Sequence, residues 1–555
     1  MHTVRKLNAV FSALVLAALP LLFVACKKPC EDTTVLLSTV APINSNTAVT
    51  VPTSHADTSN KNIDTYIILN NENTTINGSG ASFSGSVLTI SKSGSYLLKG
   101  KLSDGKIIVD SKDSKGKVCL YLNGVTVRSS SDSPLSIISA GRAAKIILTE
   151  KSSNELSDFS EKAGRSGTED KSGYTSAVIF SKSNLVFEGE GTLKIGAKYK
   201  KGIYSERELT VLAGNLNIES ADDALGAKNG IVFRNGTLNA VSGASGIRTN
   251  KADAGKGSIA INGGSIKIQS ELECIKSVSN LTVTSGNFDL TSGGGSTGKT
   301  KDNDREQSFP HVQSSISGSS GEQTIDAKDS KAIRAEKSLT VSGGDFAVNS
   351  LNDAFYSTGG INISDGNFNI KTDSSALYSN KSISILGGNF KVDYCSDGIE
   401  GESISIGGGN IYITAEDNSF GESGDVIQSG GTVIAFGSES GMNGKSTYTV
   451  TGGTVFSAGD LPSRKATVQR NAELSATATF PESTLLAITN VDGKTLFCLS
   501  LAKSCKSVWF SSPELTSGEK YKIYSGGINT GVSQNGIYYG TQYTPGWLVD
   551  TVEAL

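Results

Sequence analysis

The sequence predicts an all-β chain folded as a parallel β-helix solenoid and closed by a C-terminal antiparallel β unit. Three observations predict it. From residue 201 one phrase recurs with a period of about 22 residues, and periods of this size mark stacked repeats. Within each copy short apolar–polar alternation dominates, and helical periodicity is nearly absent. Glycine is abundant, 63 residues against 10 prolines, and it recurs as Gly-Gly or Gly-Asn at fixed places.

Eight copies carry the period. They run from KGIYSERELTVLAGNLNIES and DALGAKNGIVFRNGTLNAVS to SALYSNKSISILGGNFKVDY and DGIEGESISIGGGNIYITAED. At ~3.3 Å per residue one copy makes a closed coil of three short strands, hydrogen-bonded to the next coil ~4.8 Å away. The Gly-Gly or Gly-Asn pair supplies the left-handed corner that a side chain would oppose. A single coil cannot bury its own apolar face, so copies stack. Aligning the coils puts Gly202, Ala224, Gly246, Cys274, Ala332, Ala354, Ala376 and Gly398 in one column. Ile203, Leu225, Ile247, Ile275, Ile333, Phe355, Leu377 and Ile399 follow as a core ladder. The next position points outward and reads Tyr204, Gly226, Arg248, Lys276, Arg334, Tyr356, Tyr378, Glu400. This predicts a surface stripe with aromatic ends and a basic centre.

The rest of the chain is organised around the solenoid. Residues 1–25 read as a bacterial lipoprotein signal: Arg5 and Lys6 start it, an apolar run follows, and Phe23-Val24-Ala25 precedes Cys26. Cleavage before Cys26 and lipid on that residue would hold an exported body at the envelope, at the outer membrane or cell surface. An uncleaved anchor helix is the other reading. Residues 26–62 form a tether, 63–461 the β-helix and 462–555 the C-terminal β unit, with a hairpin at Asp492-Gly493. Residues 293–330 interrupt the repeat as an exposed insertion, expected beside Lys276 and Arg334. Cys119, Cys274 and Cys395 read as isolated packed residues. Cys498 and Cys505 form the one near pair and suit a disulfide in an oxidising compartment.

Composition limits function. The formal net charge is −3, which leaves no nucleic-acid footprint. The three histidines, His2, His55 and His311, all lie outside the repeats. Imidazole zinc sites and histidine general bases are therefore disfavoured. No phosphate-cradling loop is present, and nothing calls for a partner subunit, so a monomer is expected.

The phrases SGSYLLKGKLSDGKIIVD, VCLYLNGVTV, KGIYSERELTVLAGNLNI, ADDALGAKNG and CSDGIEGESISIGGGNIYITAEDN resemble the bacterial carbohydrate-binding β-helix family over about residues 87–530. The resemblance implies a right-handed, pectate-lyase-like β-helix, secreted or surface-held. It also implies binding of calcium and of pectin- or cellulose-type cell-wall polysaccharide. The family's corner motif is Asp-Asp-Gly-Ile. Asp222-Asp223 keeps the acidic pair, Asn352-Asp353 and Asp417-Asn418 keep half of it, and Ser374-Ser375 replaces it. Two readings stay open there: oxygens gathered around calcium, or carboxylates that bond corner amides. Three functions follow. The stripe residues Tyr204, Arg248, Lys276, Arg334, Tyr356 and Tyr378 could bind acidic or cellulosic glycan without catalysis, through ring stacking and cation–carboxylate pairs. A polysaccharide lyase would use Lys276 or Arg334 as base beside calcium. A structural surface protein would use the solenoid as a spacer.

Overall fold

The computed structural model describes residues 62–159, 177–298, 330–421, 424–438, 441–442, 447–460, 466–468, 471–539 and 542–555. The expected signal, Cys26, all but the last residue of the tether, and residues 299–329 of the insertion lie outside these. Among the described residues the elements are all strands, in sheets of 29, 13 and 6. No helix there is long and apolar enough to cross a membrane.

Coils stack in register. Each contributes one short strand, such as Leu225–Ala227, to the 13-stranded sheet. It contributes two more, such as Gly230–Phe233 and Thr237–Ser242, to the large sheet. Pairing from coil to coil is parallel. The expected core ladder is continuous: Ile203 pairs with Leu225, Ile247, Ile275, Ile333, Phe355, Leu377 and Ile399 in turn. Every member is buried. The small column before it exists for a steric reason. A Cβ on Gly246 would sit 2.4 Å from Cγ2 of Ile268, so the short strand packs directly on the strand opposite.

Aromatic residues stack in the interior too. Phe288, Phe346, Phe368 and Phe390 form a pile with centroids 4.5, 5.0 and 4.3 Å apart and planes within 6°. Phe355 meets two of these rings edge-on. The glycine corner permits the pile. Gly344 has φ +115°, and a Cβ there would lie 3.1 Å from the Phe346 ring. In the Gly-Asn copies the glycine alone takes the left-handed conformation, while the asparagine opens the following strand and faces solvent. Serines close the next corner: Ser220 and Ser270 donate from Oγ to the carbonyls of Asp222 and Leu272.

Antiparallel strands end the stack on both sides. Thr65–Leu69 and Thr75–Asn77 form a hairpin, as do Ala81–Ser84 and Val87–Ile90. At the other end Cys505–Ser512 pairs antiparallel with Thr454–Gly459, the last long parallel strand, and with Ala472–Phe480. This covers the hydrogen-bonding edge that an open solenoid would expose. A six-stranded antiparallel sheet completes the C-terminal part, and Leu485–Asn490 and Thr495–Ser500 turn at Asp492-Gly493.

Two cysteine expectations are corrected. Cys498 and Cys505 are buried free thiols, on a strand of the six-stranded sheet and on the capping strand respectively. Cys119 is buried and disulfide-bonded. Cys274 and Cys395 are free and fully buried, as packed residues.

Candidate functional site

Parallel pairing turns sequence repeats into surface rows. Tyr204, Gly226, Arg248, Lys276, Arg334, Tyr356, Tyr378 and Glu400 are successive neighbours on the 13-stranded sheet. Phe180, one coil earlier, extends the row and stacks on Tyr204 with centroids 6.4 Å apart. It escaped the sequence reading because its coil precedes the strict repeat. Every side chain from Tyr204 to Glu400 except Gly226 is half-buried.

The stripe differs from the expected one in two respects. The ring faces are occupied. Tyr356 and Tyr378 lie parallel, 5.5 Å apart and within 3°, and Lys331 and Arg334 sit 5.0 and 5.4 Å from the Tyr356 centroid. Tyr204 lies between Phe180 and Gly226, where an added Cβ would come 2.8 Å from its ring. Tyr204 and Tyr356 therefore offer mainly edges and hydroxyls, and Tyr378 has one face covered by Tyr356. Burial raises the Tyr204 and Tyr378 phenols above their ordinary value, and Glu400 adds to the rise at Tyr378. Both remain protonated donors at neutral pH.

The centre is also not basic. Lys276 Nζ is 2.6 Å from Glu273 Oε1, and Arg334 Nη1 is 3.4 Å from the same atom. Arg334 Nε donates to Glu336 at 2.7 Å. Glu273 is fully buried beneath them and also accepts from Ser245 Oγ at 3.3 Å. Lys276 and Arg334 are thus engaged cations, not a free base for elimination. Arg248 is the looser member: its Nη1 is 3.8 Å from Asp223, and its side chain keeps 34% of its exposure.

At Asp222-Asp223 and at Asp353 the corner carboxylates face a lysine, which does not fit a calcium ion at the same point. Lys201, one coil before, places Nζ 2.8 Å from Asp222 Oδ2 and 2.5 Å from Asp223 Oδ2. An ammonium already fills the point where their charges converge. Burial alone would lower the Lys201 pKa, but Asp223 and Asp222 together hold it above its ordinary value. Asp223 also accepts from the Ser245 backbone, and Asp222 from the Asp223 backbone. Lys331 repeats the device 3.6 Å from Asp353, which accepts from Ser374 Oγ and the Ser375 amide. Asn352 accepts from the Asp353 amide, and Asp417 accepts from Ser396 Oγ. Asn418 Oδ1 is buried without a partner. Among the described residues no group of three or more His, Cys, Asp or Glu is arranged for a metal.

The first residues of the insertion are held on the corner. Its described start, Gly293–Gly298, is clamped by Asp373, which accepts from Ser296 and Thr297 hydroxyls and from the Thr297 and Gly298 amides. Asn349 accepts from the Ser296 amide. The start therefore runs toward later coils along the corner; the body of the insertion, expected beside Lys276 and Arg334, lies outside the described residues.

A second outward surface follows the glycine corner and was not singled out from the sequence. Shallow grooves of ≈630 and ≈560 Å³ run along it. Its signal was the asparagine repeated after the corner glycine, which read as a turn residue.

Comparison with known proteins places the solenoid. Residues 84–373 and 309–472 match the model of carbohydrate-binding domain-containing proteins. A relative of the same description from Acetivibrio thermocellus is 28% identical over 144 residues, covering 26% of this chain and 49% of the relative. The chain thus spans about half the length of the curated relative it matches. A solved structure of a polysaccharide lyase-like protein from C. thermocellum, a gadolinium derivative, is 27% identical and covers 42% of this chain and 92% of its own. Its TM-score of 0.39 is too low to carry a fold argument. The matched segments together span more than half of the chain, and this protein belongs to the family of carbohydrate-binding domain-containing proteins.

Proposed function

We propose that this protein binds cell-wall polysaccharide without cleaving it, as a lipoprotein held at the bacterial envelope through Cys26. The solenoid is taken as right-handed. The observation that carries the reading is the row from Tyr204 to Tyr378, which lies inside the family-matched segment and holds its polar ends at one coil spacing. Arg248 supplies the least engaged cation, suited to a uronate carboxylate. The phenol hydroxyls of Tyr356 and Tyr378 supply hydrogen bonds. The absence of catalysis rests on Lys276 and Arg334 being tied to Glu273 and Glu336.

Calcium is not required in this reading, because Lys201 and Lys331 neutralise the corner acids. The test is affinity electrophoresis of the full chain through gels containing polygalacturonate, with and without EGTA. Retardation that is insensitive to chelator and weakened in Arg248→Ala supports the proposal. Unimpeded migration in polygalacturonate and in neutral-polysaccharide gels alike, or release of unsaturated products absorbing in the ultraviolet, contradicts it.

A further inference from the structure

The surface after the glycine corner is built from two outward rows. In the first, Asn287, Asp345, Asn367, Asn389 and Asn410 pair in register and are all exposed. From Asp345 onward their side chains join head to tail. Asn367 Nδ2 donates to Asp345 Oδ1 at 2.7 Å, Asn389 Nδ2 to Asn367 Oδ1 at 2.9 Å, and Asn410 Nδ2 to Asn389 Oδ1 at 2.9 Å. An amide group has two donor hydrogens and two acceptor lone pairs. The ladder uses one of each at Asn367 and Asn389. One N–H and one lone pair therefore remain directed at solvent, in the same orientation on both coils.

Two positions along each strand stands the second row: Lys267, Asp289, Ala347, Asn369 and Lys391. Ala347 is a missing tooth, and the ≈560 Å³ groove lies between the rows around it. The ≈630 Å³ groove continues past Ser265, Asn287 and Asp345 onto the glycine corner. Charges along the second row cancel locally. Lys267 is 2.6 Å from Asp289, and Lys391 is 3.0 Å from Asp393.

The chemistry of this surface selects a ligand class. Its donors and acceptors are fixed before binding, so little side-chain freedom is lost on contact. It offers no concentrated charge to an anion, and the rings of Phe288, Phe346 and Phe368 beneath the rows are almost wholly covered by the polar side chains that rim the groove. Coils repeat ~4.8 Å apart, close to the advance of one pyranose in an extended β-linked chain. The geometry points to a neutral, extended polysaccharide lying along the solenoid axis in this groove, hydrogen-bonded to Asn367 and Asn389. The inference rests on the carbohydrate-binding reading above but not on the Tyr204–Tyr378 stripe.

The test is affinity electrophoresis of the full chain in hydroxyethyl cellulose gels, with polygalacturonate gels beside them. Wild type, Asn367→Ala/Asn389→Ala and Ala347→Arg are compared. Ala347→Arg fills the groove while leaving the ladder intact, and far-ultraviolet circular dichroism checks that each variant folds. Wild type is retarded by hydroxyethyl cellulose. The asparagine double variant and Ala347→Arg each lose about tenfold in affinity. Unchanged retardation in both groove variants overturns the inference. Retardation of wild type by polygalacturonate alone also overturns it, while leaving the carbohydrate reading standing. Unimpeded migration in both gels overturns both.

Discussion

Two faces of one solenoid solve the same problem differently. Residues at matching positions must stand ~4.8 Å apart, and like charges at that distance repel. On the short-strand face the chain places unlike charges in adjacent columns: Lys201 against Asp222 and Asp223, Lys276 and Arg334 against Glu273, Lys331 against Asp353. On the face after the glycine corner it uses side-chain amides that hydrogen-bond their own kind, from Asp345 to Asn410. The first solution buries charge and ties it down. The second leaves uncharged groups exposed and oriented. What repeats can offer a ligand therefore depends on how they satisfy one another first.

Breaking the buried side of this comparison gives the largest effect. Glu273→Ala leaves Lys276 and Arg334 facing each other over an empty space, and losing one partner of a buried ion pair costs about 3–5 kcal/mol. A urea titration followed by tyrosine fluorescence shows it as a large drop in midpoint.

Lys201→Met comes next. It strands Asp223, whose side chain is 1% exposed, and costs about 1–3 kcal/mol at neutral pH. It also creates an acidic corner without its ammonium, so added calcium restores part of the lost thermal stability in the variant and leaves wild type unchanged. Because the pair raises the Lys201 pKa, its stabilisation is fully present below the ordinary lysine value. It disappears as pH rises through the raised value. Melting curves of wild type and Lys201→Met should therefore converge at strongly alkaline pH.

Arg248→Ala sharpens the contrast in binding, not stability. Its 3.8 Å contact with Asp223 is long and partly exposed, so stability changes by under about 1 kcal/mol, while retardation by polygalacturonate falls about tenfold. The smallest stability effect is on the amide face. Asn367→Ala removes two exposed hydrogen bonds and shifts unfolding by about 0.5 kcal/mol or less.

Much of this was legible in the sequence. The period and the aliphatic ladder from Ile203 to Ile399 follow from alternation alone, and so does the row from Tyr204 to Glu400, though not its extension to Phe180. What the side chains do to one another was not legible. Lys201 and Asp223 are 22 positions apart, and the repeat shows that they are neighbours but not that the ammonium turns toward the acid. Tyr356 and Tyr378 read as two platforms. Perfect register makes them one stack, because a ring repeated at coil spacing covers its neighbour. Asn389 and Asn410 followed glycines and read as corner residues, yet the glycine takes the unusual φ and frees the asparagine to face outward.

The most direct measurement is affinity electrophoresis of the wild-type chain in a polysaccharide gel, run with and without EGTA. The account predicts retardation of equal size in both, because Lys201 and Lys331 hold the corners at Asp222-Asp223 and Asp353. No retardation, or retardation that vanishes with chelator, would contradict it.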